Sequence, residues 1–340
     1  MLNSIKVNKS ISPDNKKTTK KDKLFTAIRI IVSAALLTFL IARSWNSLKN
    51  FTSILKELNI AFLLLAVTFY FLGIITEMLR WDILLRAQDI KISKGFLTKS
   101  FFIAYFYSNI FPTNIGGDIY RAYDLHKNKD IPLDKNISAI VVEKFIGMLS
   151  GTIYLAISFF GIYKYLNLAT ILSLSVLPFG GLILFFIILK PKAFKIDRLF
   201  KKIRFLTRFE PKYNSFLQHF VSYKSKPRYL LASFIISLAA QLLFYTGFYF
   251  AAIYINLYLP FLAFLFLIPV IIIISNVPIS IGGLGIRENS FVLLLKNFNV
   301  PESAGTLFAL VSLFIIVFSA LLGGVIYLFK NIFYKSKGVV

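Results

Sequence analysis

The sequence predicts an all-α, polytopic integral membrane bundle: about six full spans plus two re-entrant helical hairpins in an inverted repeat. Three observations point there. Of the 340 residues, 57% are hydrophobic and 16% charged, with a mean hydropathy of +0.73, the balance of a chain that lives mostly in a bilayer. The basic residues gather in a few segments between apolar runs. And one ten-residue stretch, Pro112-Thr-Asn114-Ile115-Gly116-Gly117-Asp118-Ile-Tyr-Arg121, is written again without a gap as Pro278-Ile-Ser280-Ile281-Gly282-Gly283-Leu-Gly285-Ile-Arg287, with five of ten positions identical.

Each copy follows a short apolar run with an Asn just ahead of it, Asn109 or Asn276. Pro removes a backbone donor and Gly tolerates unusual torsions, so each copy reads as an interrupted helix. Inside a bilayer such a break persists only where protein or trapped water satisfies the freed groups, and paired breaks in two halves of a membrane protein point to a substrate site.

In chain order, residues 1–23 hold seven Lys against Asp14 and Asp22, with few large apolar side chains, and read as a disordered basic cytoplasmic tail. Residues 24–42 are long enough to span; Arg43-Ser-Trp45 follows without a small-residue cleavage pattern, so a retained anchor is expected. Residues 58–76 span back, and Arg80, Trp81, Asp82 and Arg86 mark an inner interface with Trp81 as an aromatic anchor. Glu77, Arg80 and Asp82 read as a solvated interfacial cluster.

Residues 96–111 lead into the first motif copy, and residues 137–160 and 169–189 are the next spans. Residues 190–228 carry twelve Lys or Arg against Asp197 and Glu210, a net of +10, which places them in the cytoplasm. Three crossings from the Arg80 region would put them outside. One segment therefore turns back, and the shortest, 96–111, becomes the entering arm of a hairpin over 96–126 open to the cytoplasm. Ile196, Leu199, Phe200 and Ile203, at helical spacing among Lys201, Lys202 and Arg204, predict an amphipathic helix on the inner leaflet.

Residues 229–253 cross outward. The same parity argument makes 261–298 a second hairpin, open to the outside, because 306–329 ends in Lys330, Lys335 and Lys337, a tail over 331–340 that belongs in the cytoplasm. The domain is thus 24–330, with halves at 24–189 and 229–330 joined by the basic segment 190–228. A plain eight-span chain would leave the +10 segment or the tail on the wrong side.

Composition also excludes chemistry. Cysteine is absent and only His126 and His219 are present, so disulfides and a Cys or His metal site are not expected, nor is any cofactor. No G-x-x-x-x-G-K-[ST] occurs, so the chain carries no P-loop ATPase. The net charge of +24 is explained by cytoplasmic loops and anionic lipid, not by nucleic acid.

The chemistry that remains sits in Asp118, Arg121, Glu143, Lys144, Arg287 and Glu288. Each would cost roughly 2.5–3.5 kcal/mol at the bilayer centre, so they must face a cavity or one another. If a helix restarts after each Gly pair, Asp118 and Arg121 share a face, and free N–H groups at the restart attract an anion. Arg121 and Arg287 are then candidate phosphate or carboxylate clamps; an internal Asp118–Arg121 ion pair that holds the hairpin shut fits equally well. Gly147 and Gly151 follow Glu143 at successive i+4 positions, so Glu143 faces protein. It either binds a cationic headgroup, carries a proton, or pairs with Lys144, Arg121 or Arg287. Lys144 points to a different side and snorkels.

On these residues the chain resembles a known family, the flippase-like membrane domain also called the lysylphosphatidylglycerol synthase transmembrane region. The resemblance rests on Asn109-x-x-Pro112-x-x-x-Gly116-Gly117-Asp118-x-x-Arg121, on Glu143-Lys144, on Pro278-x-x-x-Gly282-Gly283-Leu-Gly285-x-Arg287-Glu288 and on Arg80-Trp81. It covers about 24–330. It implies an integral membrane protein, some members of which translocate aminoacylated phosphatidylglycerol, while others are connected with polyprenyl-linked or other glycolipids. In the multiple peptide resistance factor this domain precedes a soluble aminoacyl transferase domain, whereas this chain stops after its last span, so lysyl transfer is not expected.

The expectation is a non-enzymatic lipid translocase in the cell membrane, both termini cytoplasmic. Its partners would be membrane lipids with anionic or zwitterionic headgroups and a separate lipid-modifying enzyme. Substrate-binding candidates are Asn109, Pro112, Asn114, Gly116, Gly117, Asp118, Arg121, Glu143, Lys144, Asn276, Pro278, Gly282, Gly283, Gly285, Arg287 and Glu288. A membrane transferase acting on a lipid-linked donor, with Asp118, Glu143 or Glu288 as its acid or base, is the enzyme alternative; a scaffold for such an enzyme is the third.

Overall fold

A computed structural model describes residues 31–36, 38–39, 42, 58–110, 115–162, 210–276 and 280–336. Every element among them is helical: α1 (Ile60–Ala87), α2 (Lys94–Ile110), α3 (Gly116–Lys129), α4 (Leu133–Ile162), α5 (Glu210–Ser222), α6 (Pro227–Tyr254), α7 (Phe261–Ser275), α8 (Ile286–Leu295) and α9 (Glu302–Ser336). Residues 31–36 are also helical. The predicted span 169–189, the amphipathic stretch with Ile196, Leu199, Phe200 and Ile203, and the tail 1–23 lie outside the described residues.

Among the described residues four helices are long and apolar enough to cross a membrane: Ile60–Ala87, Leu133–Ile162, Pro227–Tyr254 and Glu302–Phe329. They contain the predicted spans 137–160, 229–253 and 306–329 and, from residue 60 on, the predicted span 58–76. At about 1.5 Å per residue each exceeds the ~30 Å hydrocarbon thickness. α7 occupies the predicted 261–275 but has only 15 residues, about 22 Å, and an internal Pro269.

Helix α1 continues 11 residues beyond the predicted end of its span. Asn59 caps its start, its Oδ1 accepting from Ala61 N at 3.0 Å. The additional turns carry Glu77, Arg80, Trp81 and Asp82 into the bundle. The most extensive helix contact is α1 with α6. It is close because Gly247 of α6 lies on the Ala66 and Tyr70 backbone of α1, where a Cβ would come within 3.0 Å of the Ala66 carbonyl oxygen. Small residues serve this role between membrane helices, where backbone proximity and dispersion replace the hydrophobic drive.

The packing pattern survives an exchange of halves. α2 packs on α9 as α7 packs on α4; α2–α3 matches α7–α8, α3–α4 matches α8–α9, and α1–α2 matches α6–α7. That is the contact pattern of two equivalent halves, each a long helix, a short pair joined by the duplicated motif, and another long helix.

The motif copies differ in backbone. In the first, the helix restarts at the Gly pair itself, and Gly116 and Gly117 are both helical. Gly117 is required there for proximity: a Cβ would collide with the Ala104 carbonyl oxygen and the Ser108 Oγ of α2. In the second, Gly282, Gly283 and Gly285 have φ of 54°, 77° and 82°, and α8 begins only after them. The expected restart after the Gly pair therefore holds for the second copy and not for the first.

Candidate functional site

The duplicated motifs meet. Gly282 lies on the backbone of Asn109, the penultimate residue of α2, where a Cβ would sit 2.8 Å from the Asn109 carbonyl oxygen. Asn109 donates its side-chain amide back to Tyr105 O at 2.9 Å, and Asn276 caps the end of α7. Both Asn residues thus close the arm that leads into the break. Pro112, Asn114 and Pro278 lie outside the described residues. The first helical segment joins at the same place: Ser33 Oγ accepts from Ile281 N at 3.0 Å, and Leu36 O accepts from Asn289 Nδ2 at 3.2 Å.

Around Glu143 the structure assembles a charged cluster from three long or re-started helices. Glu143, 2% exposed, accepts from Arg121 Nη1 at 2.9 Å and from Arg80 Nη2 at 3.1 Å. Arg121 also donates to Asp118 at 2.6 Å, and Lys144 Nζ reaches the other Asp118 oxygen at 3.0 Å. Arg80 donates to Ser237 Oγ at 2.8 Å and to Glu77 at 3.2 Å. Three cations, Arg80, Arg121 and Lys144, balance three carboxylates, Glu77, Glu143 and Asp118, so the cluster is formally neutral. That balance is what a low-dielectric interior demands of buried charge.

The neighbours fix these side chains. The Arg121 guanidinium lies 4.9 Å from the ring centroids of both Trp81 and Phe101, so two aromatic faces hold it. Trp81 Nε1 donates to Asn136 Oδ1 at 3.4 Å, while Asn136 donates to Arg121 O at 3.1 Å. The Glu143, Gly147, Gly151 face of α4 admits its neighbours as expected. Arg80 Nη1 approaches Gly147, and Gln241 of α6 donates to Gly147 O at 2.7 Å.

Several expectations change. Glu77, Arg80 and Asp82 do not form a solvated interfacial cluster: Arg80 and Asp82 are each 4% exposed, and Arg80 is a second partner of Glu143. Trp81 is fully buried against Phe101 and is not an anchor at headgroup depth. Glu143 pairs with Arg121, one of the three partners considered, and not with Lys144 or Arg287. Lys144 does point away from Glu143, with a side chain 60% exposed, yet it belongs to the cluster through Asp118.

Arg287 and Glu288 form their own pair. Arg287 Nε donates to Glu288 Oε1 at 3.0 Å, and the other carboxylate oxygen accepts from Gly285 N at 2.5 Å. One backbone donor at this helix start, where an anion was expected, is Gly285 N, and it is occupied by the protein's own Glu288 in the manner of a capping box.

The sequence reading missed a pair of tyrosines, one of them on the Glu77 face of α1. Tyr70 and Tyr105 share a part-buried hydroxyl–hydroxyl hydrogen bond of 2.5 Å. Tyr70 stands on α1 seven residues before Glu77. Polar groups therefore run along α1 from Tyr70 through Glu77 to Arg80, ten residues or about 15 Å, half the ~30 Å hydrocarbon thickness. The signal was available in the spacing: Tyr70 and Glu77, seven apart, share one face of a helix.

Among the described residues no group of three His, Cys, Asp or Glu is placed to hold a metal ion. No curated protein matches the chain. The family model described as the lysylphosphatidylglycerol synthase TM region matches residues 26–324, and the chain belongs to that family of integral membrane domains associated with lipid modification or transport.

Proposed function

We propose that this domain translocates a polar or charged lipid headgroup between leaflets, with the acyl chains left in the surrounding lipid. The observation that carries the reading is Glu143, bound by two guanidiniums and 2% exposed on a helix long enough to cross the membrane. A headgroup that carries both phosphate and amine can take the place of a carboxylate on Arg121 and of a cation on Asp118 without leaving net charge in the bundle. Such exchange replaces the headgroup's water, whose loss would otherwise cost several kcal/mol. Arg80 Nε, buried without a hydrogen-bond partner among the described residues, is a donor available to an incoming oxygen.

In this reading 96–126 and 261–298 are re-entrant hairpins of an inverted repeat, entering from opposite faces, and the Tyr70–Tyr105 pair lies on the path between them. Zwitterionic substrates such as aminoacylated phospholipids suit the neutral cluster; glycolipids suit its hydroxyl and amide groups. The basic segment 190–228 and the basic tails favour a plasma-membrane protein with both termini in the cytoplasm. No covalent step is assigned, and the drive is the substrate gradient, the membrane potential or a coupled ion.

The test is reconstitution of the full chain into vesicles of phosphatidylglycerol and phosphatidylcholine containing a trace of headgroup-labelled aminoacyl-phosphatidylglycerol or glycolipid. Accelerated exchange of label between leaflets is expected, with slowing in Arg121→Gln and Arg287→Gln protein that keeps the wild-type elution profile. Wild-type protein that accelerates none of these lipids, or variants that move them at the wild-type rate, would overturn the proposal. A lipid of changed mass in the vesicles would point to a transferase.

A further inference from the structure

An apolar groove of about 510 Å³ opens between α4, α6 and the Tyr223–Ser225 turn. Phe145, Leu149 and Thr152 line it from the face of α4 turned away from Glu143, and Leu230, Leu231 and Phe234 line it from α6. Its lining on α4 runs from Val142 to Thr152, ten residues or about 15 Å. That is one leaflet's share of a ~30 Å hydrocarbon core. Phe220, whose ring centroid lies 6.2 Å from that of Phe145, and Lys224, just before the start of α6, line one end.

Lys224 is the one charged residue in that lining, and it is exposed. Neither Lys224 nor Arg228, at the start of α6, makes an ion pair with the described residues, whereas Lys226 between them is bound to Asp89 at 3.0 Å. A groove of one-leaflet length, apolar along its walls and cationic at one mouth, has the complement of a single anionic lipid. We propose that it holds an acyl chain of an anionic phospholipid of the leaflet on the Lys224 side, with the lipid phosphate on the Lys224 ammonium. This site is separate from the Glu143 cluster and does not depend on translocation.

The experiment places p-benzoylphenylalanine at Leu231, a position 60% exposed, in the full chain. The protein is reconstituted in vesicles with equal phosphatidylglycerol and phosphatidylcholine of the same acyl chains, irradiated, and weighed intact. A phosphatidylglycerol adduct severalfold more abundant than the phosphatidylcholine adduct is expected, with the preference lost in Lys224→Glu and kept in Lys226→Glu. Equal adducts in the unsubstituted protein would mean bulk lipid only. A cross-link into residues 163–209 would mean that the chain's own segment fills the groove. Either result overturns the proposal.

Discussion

Replacing Glu143 by Gln keeps the shape of the side chain and removes the charge that two guanidiniums share. Arg80 and Arg121 lie 3.1 and 2.9 Å from it, and their side chains are 5% and 4% exposed, so neither has water to turn to. Arg80 keeps Glu77 and Arg121 keeps Asp118, but the cluster passes from neutral to one net positive charge. Removing one partner of a buried pair costs about 3–5 kcal/mol. For a chain of this size that corresponds to a fall of roughly 10 °C in unfolding midpoint. The measurement is thermal unfolding in detergent followed by tryptophan emission, to which Trp81 contributes from beside Arg121. The decisive comparison is Glu143→Gln/Arg121→Gln, which removes one charge of each sign. Its cost should fall short of the sum of the single costs by about 1–3 kcal/mol, as for groups within one network. A midpoint unchanged in Glu143→Gln, or a double variant that is simply additive, would refute the account of a mutually neutralised cluster.

The glycines make a graded set. Gly117→Ala, which drives a methyl into the Ala104 carbonyl and Ser108, should cost about 1–3 kcal/mol, and Gly282→Ala a comparable amount through its φ of 54° and the nearby Asn109 carbonyl. Gly95→Ala, on a helix with nothing within 4 Å of the new methyl, should be neutral or slightly stabilising in the same unfolding assay. Tyr105→Phe loses one hydroxyl bond and should cost only about 0.5–1.5 kcal/mol, while slowing headgroup exchange in vesicles if the tyrosine pair lies on the path. Glu288→Ala removes both the cap on Gly285 and the partner of Arg287; a loss of about 1–3 kcal/mol is expected, with Glu288→Gln recovering the part due to the cap.

Much of the helical framework was legible because apolar runs of bilayer length leave little choice of secondary structure. The start of α7 and its end at Ser275 coincide with the predicted segment, since Pro260 precedes it and the motif follows. Arg80 was misplaced for an equally physical reason. Hydropathy falls where charge begins, so the span was ended at residue 76, whereas the helix continues because Glu143 and Ser237 satisfy the guanidinium within the bundle. A hydropathy pattern records the cost of desolvating a charge but not a partner 63 residues away that offsets it. Asp118–Arg121 was readable from local spacing, and the Arg80–Glu143 half of the same network was not.

The duplicated motif shows where sequence identity stops being structural identity. Both copies keep Pro, Ile, the Gly pair and Arg, yet Gly117 is helical and pressed against α2 while Gly282 and Gly283 are left-handed. The position after the pair separates them. Asp118 stands in the first turn of α3, where a carboxylate is favoured by the helix N-terminus and Arg121 is one turn on. The second copy has Leu284 there and a third glycine, Gly285, with its carboxylate moved to Glu288; the helix starts later, and that carboxylate caps its own backbone. Arg121 is thereby directed across to Glu143 on α4, while Arg287 stays with its sequence neighbour. Exchanging Asp118 for Leu should therefore leave Arg121 with Glu143 alone and release Lys144 entirely. The expected result is a destabilisation smaller than that of Glu143→Gln, because the lost carboxylate is 16% exposed and its cation, Lys144, is already 60% exposed and can hydrate. Unfolding midpoints ranked the other way would mean that the hairpin contact, and not the buried Glu143, holds the cluster together.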